Sequence, residues 1–331
     1  MRTGGRDVFS VDGLRVTVVG AARSGIAAAE LLARRGARVT LSDSRADMPA
    51  ADRGRLEAGG IAVELGGHQA GTFSHADLIV ASPGVPPELP ALAAARGAGV
   101  PVIGEVELAF RWLRGRVIAI TGTKGKSTTT ALTGRMLQQA GLTAVVGGNI
   151  GAPLSAQVDQ STPDTLHVVE VSSFQLEQID TFRPWVSVML NFSPDHLDRH
   201  HTVAAYARAK ARIFENQQPG DFAVVNADDE AAMDLASEAR ATRRLFSRRG
   251  RLDAGTVIEG GWICEHRDGL SEPLVPLDRI RLIGPHLVDD VMAAATVARI
   301  AGVDARAMTE AVGTFSGLEH AMEHVAELGG V

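Results

Sequence analysis

Residues 117–129, Val-Ile-Ala-Ile-Thr-Gly-Thr-Lys-Gly-Lys-Ser-Thr-Thr, constrain this chain more than any other stretch. Strand-favouring residues run into a glycine loop, which ends in Gly125-Lys126-Ser127-Thr128 at the start of a helical pattern. Such a turn holds a triphosphate. Backbone N–H groups wrap the phosphates, a lysine reaches the outer ones, a hydroxyl meets Mg²⁺, and the helix N-terminus adds partial positive charge. The common pattern has a glycine five residues before the Gly-Lys pair. Here Ile120 holds that place and Gly122 is the first glycine, so the loop is a shortened variant. Gly122, Thr123, Lys124, Gly125, Lys126, Ser127 and Thr128 are the expected ATP-binding residues. Lys126 is expected on the β- and γ-phosphates, with Ser127 and Thr128 as hydroxyl candidates for the metal.

At 331 residues the chain has room for two or three domains. A net charge of −6 gives no basic face of the kind nucleic acid requires. The basic run Arg243, Arg244, Arg248, Arg249, Arg251 reads as a solvated loop face. Cys264 is the single cysteine, which excludes an intrachain disulfide and suggests a reducing compartment. The first residues lack the apolar core of a signal peptide, and no long uncharged apolar run suggests a membrane span. The expectation is a cytoplasmic protein with neither nucleic-acid nor membrane partners.

Strand and helix patterns alternate along the first third, with strands at Arg15 to Val19, Arg38 to Ser42 and Ala76 to Ala81. That predicts an α/β fold: a Rossmann-like parallel-sheet domain over residues 1–113. The same grammar restarts in a P-loop ATPase-type α/β domain over 114–315, followed by a stub, 316–331. Strands expected at Arg116 to Thr121, Leu166 to Glu170, Val186 to Asn191 and Asp221 to Asn226 all end in a polar residue. Ligands on open α/β sheets bind beyond the strands' carboxyl ends, so these ends predict one site. The segment Val257 to Ile283 reads as short strands or loops.

Gly20-Ala21-Ala22-Arg23-Ser24-Gly25 follows a strand, opens a helix, and is answered by Asp43 at the end of the next strand. This is close to a dinucleotide fingerprint with Ala22 in place of the middle glycine. It fits a tight turn that binds nothing, a nicotinamide or flavin site, or a different nucleotide diphosphate. Glu170 ends an apolar strand facing the phosphate loop, where a carboxylate suits Mg²⁺. Asp195, His196 and Asp198 crowd one loop, and neutral imidazole accepts a divalent ion. His200 and His201 read as loop residues, and Lys210 as an ordinary helix lysine.

Four strings taken together resemble the Mur ligases of peptidoglycan synthesis: Gly-Thr-Lys-Gly-Lys-Ser-Thr (122–128), Gly-Gly-Asn-Ile-Gly (147–151), Glu-Val-Ser-Ser-Phe-Gln-Leu-Glu (170–177) and Asp-His-Leu-Asp-Arg-His (195–200). The resemblance implies an ATP- and Mg²⁺-dependent, amide-forming monomer. Within the family, the Ser-Ser-Phe-Gln-Leu-Glu string and the N-terminal loop are most similar to the branch that adds D-glutamate to UDP-N-acetylmuramoyl-L-alanine. The substrate carboxylate would attack the γ-phosphate, and the amine of D-glutamate would attack the resulting acyl phosphate. Ala22, Arg23, Ser24, Asp43, Ser44 and Arg45 would hold UDP, while Asn149, Ser172 and Gln175 would face the UDP-sugar. Ser127, Glu170 and His196 would bind Mg²⁺. Lys126, His196 and Lys210 would serve catalysis, and Lys210 matches a lysine that CO₂ carbamylates in the family and that then joins the metal site.

Three departures stand out. His286-Leu287-Val288-Asp289-Asp290 replaces a His-Asn-x-x-Asn pattern on the adenine side, where Leu287 cannot hydrogen-bond and Asp290 offers acceptors only. Ala321, in His320-Ala321-Met322-Glu323-His324-Val325, stands where the family has arginine. The family's third domain is expected to be missing beyond Val331, which predicts slow ligation or none by this chain alone. Two other readings are a nucleotide-binding paralogue without catalysis and a folylpolyglutamate synthetase-like ligase.

Overall fold

A computed structural model describes residues 9–281 and 284–317 of the chain. The string at 320–325, with Ala321, lies outside the described residues. The chain packs as two compact units. The first runs up to Arg114 and takes in Ala152–Thr162 and Phe174–Phe182. The second holds Gly115–Gly151, Pro163–Ser173 and the described residues from Arg183 onward.

The first unit is built on β1 (Arg15–Val19), β2 (Arg38–Asp43), β3 (Ala62–Leu65), β4 (Leu78–Ala81) and β5 (Val102–Gly104). They form an all-parallel sheet in the order β3-β2-β1-β4-β5. Parallel sheets are covered on both faces, which is why Val16, Thr17, Val18 and Val19 of β1 are all buried. The helix Arg23–Arg34 covers one face through Ala28, Ala29, Leu31 and Leu32.

Two buried acids bring distant segments into this unit. Glu105 accepts a hydrogen bond from the Ser155 N–H at 2.6 Å. Glu107 Oε2 accepts the N–H groups of Asp180, Thr181 and Phe182 at 2.9, 3.0 and 2.8 Å. Its Oε1 accepts from Thr181 Oγ1 at 2.7 Å and from Arg111 Nε at 2.8 Å. Burial alone would raise the Glu107 pKa, but these donors outweigh it and hold the carboxyl below its ordinary value. Segments 152–162 and 174–182 therefore leave the sequence neighbourhood of the second unit, with Glu105 and Glu107 satisfying backbone N–H groups of each.

The second unit carries β6 (Arg116–Thr121), β7 (Ala144–Gly148), β8 (Leu166–Glu170), β9 (Val186–Met189), β10 (Phe222–Asn226), β11 (Thr242–Ser247), β12 (Gly255–Glu259), β13 (Trp262–Arg267) and β14 (Leu270–Pro276). Their order is β14-β13-β12-β11-β10-β9-β6-β8-β7. Pairing is parallel from β7 to β12, and β12, β13 and β14 form an antiparallel meander. The helices Lys126–Gln139 and Pro285–Ile300 bury Leu132, Met136, Val291 and Met292 in the same core as Ile118, Val168, Val188 and Val224.

Two sequence expectations change here. The strand expected to reach Asn191 stops at Met189, so Asn191 lies in the following loop. The basic run is not a loop face throughout, since Arg243 and Arg244 lie on β11 and Arg248 pairs with Asp289 at 2.8 Å. Among the described residues, no helix is long and apolar enough to cross a membrane.

Glu107→Ala leaves three backbone N–H groups without their acceptor, and urea unfolding should register a loss of roughly 3–5 kcal/mol. A carboxyl whose folded pKa is lowered stabilises fully above its unfolded pKa and loses that stabilisation as pH falls through the folded one. The gap between wild type and Glu107→Ala should therefore narrow below about pH 4. A gap that stays constant into strong acid would show that the carboxylate charge is not the anchor.

Candidate nucleotide and substrate sites

The phosphate loop leaves the central strand β6 and returns as the helix Lys126–Gln139. Gly125 sits at the helix N-cap in the left-handed region, φ 81°, and Gly122 is also at positive φ. A Cβ on Gly125 would stand 2.1 Å from Asp290 Oδ1, and one on Gly122 would stand 3.0 Å from Leu190 Cβ. Asn191, just past β9, shapes the loop. Its Oδ1 accepts the Thr123 and Lys124 N–H groups at 3.0 and 2.9 Å, and its Nδ2 donates to the Lys124 carbonyl at 3.1 Å. Lys126 Nζ donates to the Thr123 carbonyl at 2.9 Å, so the ammonium lies over its own loop.

Parallel pairing places Glu170 at the end of β8 beside this turn, with Ile120 opposite it in register. Ser127 Oγ donates to Glu170 Oε2 at 2.6 Å, and Asn149 Nδ2 donates to Glu170 Oε1 at 2.7 Å. The Ser127–Glu170 pair presents two hard oxygens in contact, which is a donor set that fits Mg²⁺ completed by phosphate and water. Asn149 is thus a partner of Glu170. Among the described residues, no group of three or more His, Cys, Asp or Glu side chains could hold a metal ion.

Pattern alone reads Lys210 as an ordinary helix lysine, and only the family resemblance sets it apart. It is buried, 2% exposed, and Nζ donates to the Gly122 carbonyl at 2.7 Å and to Thr121 Oγ1 at 3.4 Å. The Tyr206 ring lies 4.9 Å away. Burial first, and then the nearby Lys126 charge, lower the Lys210 pKa to about 7, against the opposing pull of Asp195 and Glu170. Near neutrality much of this amine is uncharged and nucleophilic, which is the state that attacks the carbon of CO₂.

His196 occupies an exposed loop at φ 50°, with Nε2 3.7 Å from Asp195 Oδ2. His200, read from sequence as a loop residue, is instead buried in the short helix Leu197–His200, with Nε2 2.9 Å from Ser173 Oγ. Ser172 follows β8 and is half-buried, whereas Gln175 is buried within the first unit. Asp290 is brought in by the helix Pro285–Ile300, and its Oδ1 accepts from Thr129 Oγ1 at 3.1 Å.

The first unit has its own loop. Gly20 has φ 98°, and a Cβ there would lie 2.9 Å from Ser82 Oγ. Asp43 Oδ2 accepts the Ala21 N–H at 2.6 Å, while Oδ1 accepts the Arg45 N–H at 2.8 Å. Arg45 closes the set with a 2.9 Å ion pair. Burial works against ionisation, but the Arg45 side chain and these N–H donors bring the Asp43 pKa down to about 2. Asp43 therefore braces the turn as an anion. Ala22, Arg23, Ser44 and Arg45 are exposed around it, and Ser24 is half-buried. The helix Arg23–Arg34 begins after Ala22, whose side chain cannot cap it.

The Mur ligase middle domain matches residues 120–298, and the Mur ligase MurD-like N-terminal domain matches residues 14–104. A UDP-N-acetylmuramoylalanine--D-glutamate ligase from Acidobacterium capsulatum is 49% identical over 326 residues, covering 98% of this chain and 71% of the relative. The chain belongs to this ligase family. A Pelotomaculum thermopropionicum member is 44% identical, covering 96% of this chain and 70% of its own length. Like its relatives, this Mur ligase is an amide-bond-forming enzyme of cell-wall synthesis. Its fold is shared with a Neisseria meningitides UDP-N-acetylmuramate:L-alanyl-gamma-D-glutamyl-meso-diaminopimelate ligase. That structure has a TM-score of 0.64 and 20% identity, over 92% of this chain and 99% of the other. A Thermotoga maritima UDP-N-acetylmuramate-alanine ligase gives a TM-score of 0.54 at 22% identity, over 92% of this chain and 69% of the other.

Two glycines of this Mur ligase separate strain from contact. Gly141 is left-handed, φ 78°, with nothing near its absent Cβ, so Gly141→Ala should cost about 1–2 kcal/mol from backbone strain. Gly125→Ala adds the collision with Asp290 and should cost at least about 1 kcal/mol more by denaturant titration. Equal losses would mean that the Asp290 contact does not restrain the loop.

Proposed function

We propose that the chain performs ATP- and Mg²⁺-dependent addition of D-glutamate to UDP-N-acetylmuramoyl-L-alanine, as a cytoplasmic monomer. The observation that carries this reading is the gathering of Lys126, Ser127, Glu170 and Lys210 around the carboxyl ends of β6 and β8. Bound ATP supplies the phosphoryl group that turns the substrate carboxylate into an acyl phosphate for the D-glutamate amine to attack.

The protein's own part is positioning and charge neutralisation. Amides from Gly125 to Ser127 would cradle the phosphates, those of Thr123 and Lys124 being taken by Asn191, and Lys126 would exchange the Thr123 carbonyl for a phosphate oxygen. Ser127 and Glu170 would hold Mg²⁺, and Asn149 keeps the Glu170 carboxylate turned toward Ser127. His196, from its exposed loop, is a further candidate ligand. Lys210, once carbamylated, would exchange a cation for an anion in the same neighbourhood and could serve a second metal. In the first unit, the Gly20–Gly25 turn braced by Asp43 would receive the UDP diphosphate, with Arg23, Ser44 and Arg45 at its rim. Ser172 and Gln175 remain candidates for the sugar side.

Calorimetric titration should show binding of both UDP-N-acetylmuramoyl-L-alanine and a non-hydrolysable ATP analogue with Mg²⁺. Lys126→Ala should weaken the analogue roughly 10–100-fold and leave the UDP-sugar unchanged. A folded chain that binds neither ligand refutes the reading. With ¹³C-bicarbonate, a carbamate resonance should grow as pH rises through about 7, because deprotonation makes the amine nucleophilic. Lys210→Ala should lack that resonance, and a resonance that persists in the variant belongs to another amine.

A further inference from the structure

Asp290 combines three features that the ligase chemistry above leaves unused. It is 3% exposed, it packs against Gly125 of the phosphate loop, and its Oδ2 has no hydrogen-bond partner among the described residues. Its other oxygen accepts from Thr129 Oγ1 at 3.1 Å, one turn into the phosphate-loop helix. A buried carboxylate oxygen without a donor is costly when ionised and far less so as a carboxylic acid. A triphosphate held by the amides around Gly125 would place further negative charge beside it.

We propose that Asp290 is a nucleotide-linked proton acceptor, whose carboxyl takes a proton from solvent when a triphosphate occupies the loop. The proton is bound at Oδ2, no other bond changes, and the proton returns to solvent when the nucleotide leaves. The neutral acid also gains an O–H donor that the carboxylate lacks, so Asp290 then both donates and accepts, as a carboxamide does with its NH₂ and C=O. This revises the reading of Asp290 as an acceptor only.

The surrounding charges favour this role. Burial first, and then like-charge repulsion from Asp289, raise the Asp290 pKa to about 7, against the Thr129 hydrogen bond. Asp289 itself is paired with Arg248 at 2.8 Å. Other charged groups on this helix and on the elements packed against it are engaged elsewhere or exposed: His286, one turn before Asp290, is exposed, and Arg299 pairs with Glu265. Lys126 donates to the Thr123 carbonyl, Arg135 to Thr314, and Arg306 pairs with Glu310. Glu259 is held by His266 and Ser271, Arg244 lies 5.7 Å from the Phe222 ring centre, and Arg243 is exposed.

The sign follows from linkage. Below the free pKa the proton is already bound and the nucleotide takes up none. Above it, binding must first protonate Asp290, so affinity falls by up to about tenfold per pH unit until the bound-state pKa is passed.

The inference rests on the nucleotide reading of the loop, and the test separates the two. The full chain is titrated with a non-hydrolysable ATP analogue and Mg²⁺ between about pH 6 and about pH 8.5, in buffers of different ionisation enthalpy. Wild type should take up a growing fraction of a proton above about pH 7, approaching one. Asp290→Asn should lack that component and bind about tenfold more tightly than wild type near pH 8. Proton changes on the nucleotide's own phosphates are common to both proteins and cancel in the difference. Identical proton uptake and pH dependence in the two proteins overturn the proposal. Absence of binding by either protein overturns the nucleotide reading, and the proposal with it. Infrared difference spectra of wild type at alkaline pH need no variant: nucleotide should add a carboxylic-acid C=O band, and no added band counts against Asp290.

Discussion

Parallel pairing of β6 with β8 on one side and β9 on the other is the constraint from which the second unit's chemistry follows. Register sets Ile120 opposite Glu170 and Thr121 opposite Met189. Three chain segments therefore end together: the phosphate loop, the Glu170 carboxylate and the Asn191 loop. None of the three could be shifted alone, because a one-residue slip in a parallel ladder turns every side chain to the other face. Lys210 joins them by donating to the Gly122 carbonyl, at the point where β6 gives way to the loop.

The molecule uses buried acids in opposite electrostatic states. Asp43 and Glu107 are surrounded by N–H donors and guanidinium groups, which outweigh desolvation and keep them ionised. Asp290 has one hydroxyl donor and an acidic neighbour, so desolvation prevails. The difference lies in the number and charge of the donors within reach and not in depth of burial alone. Asp43 and Glu107 brace backbone as anions, while Asp290 lies beside the loop where charge would arrive.

Much of the site was legible because its residues are close in sequence and bound to one backbone geometry. The strand, the left-handed glycine and the helix start around Gly125 are such a case, as is the Gly20 turn answered by Asp43. Glu170 was legible as a polar end to an apolar strand. What escaped depends on long-range packing. His200 reads as an ordinary loop histidine until Ser173 and the Tyr206 ring enclose it. Lys210 is set apart in the sequence by family resemblance alone, and its burial is something no spacing reveals. Asp290 meets Thr129 across a separation of 161 residues. The return of 152–162 and 174–182 to the first unit goes with Glu105 and Glu107, whose partners are mainly backbone N–H groups and leave little trace in side-chain pattern. The Val186 to Asn191 reading runs two residues too long because apolar Leu190 continues the pattern, with Asn191 as its polar end, after the ladder has stopped at Met189.

Asn191 engages the Thr123 and Lys124 amides and the Lys124 carbonyl with a single side-chain amide. A receptor tied in this way is shaped before any guest arrives. Little freedom is left to be frozen out on association, so more of the contact energy remains as affinity. The same rigidity makes the loop discriminating: a guest of different curvature would have to break hydrogen bonds that the strand beyond β6 holds in place.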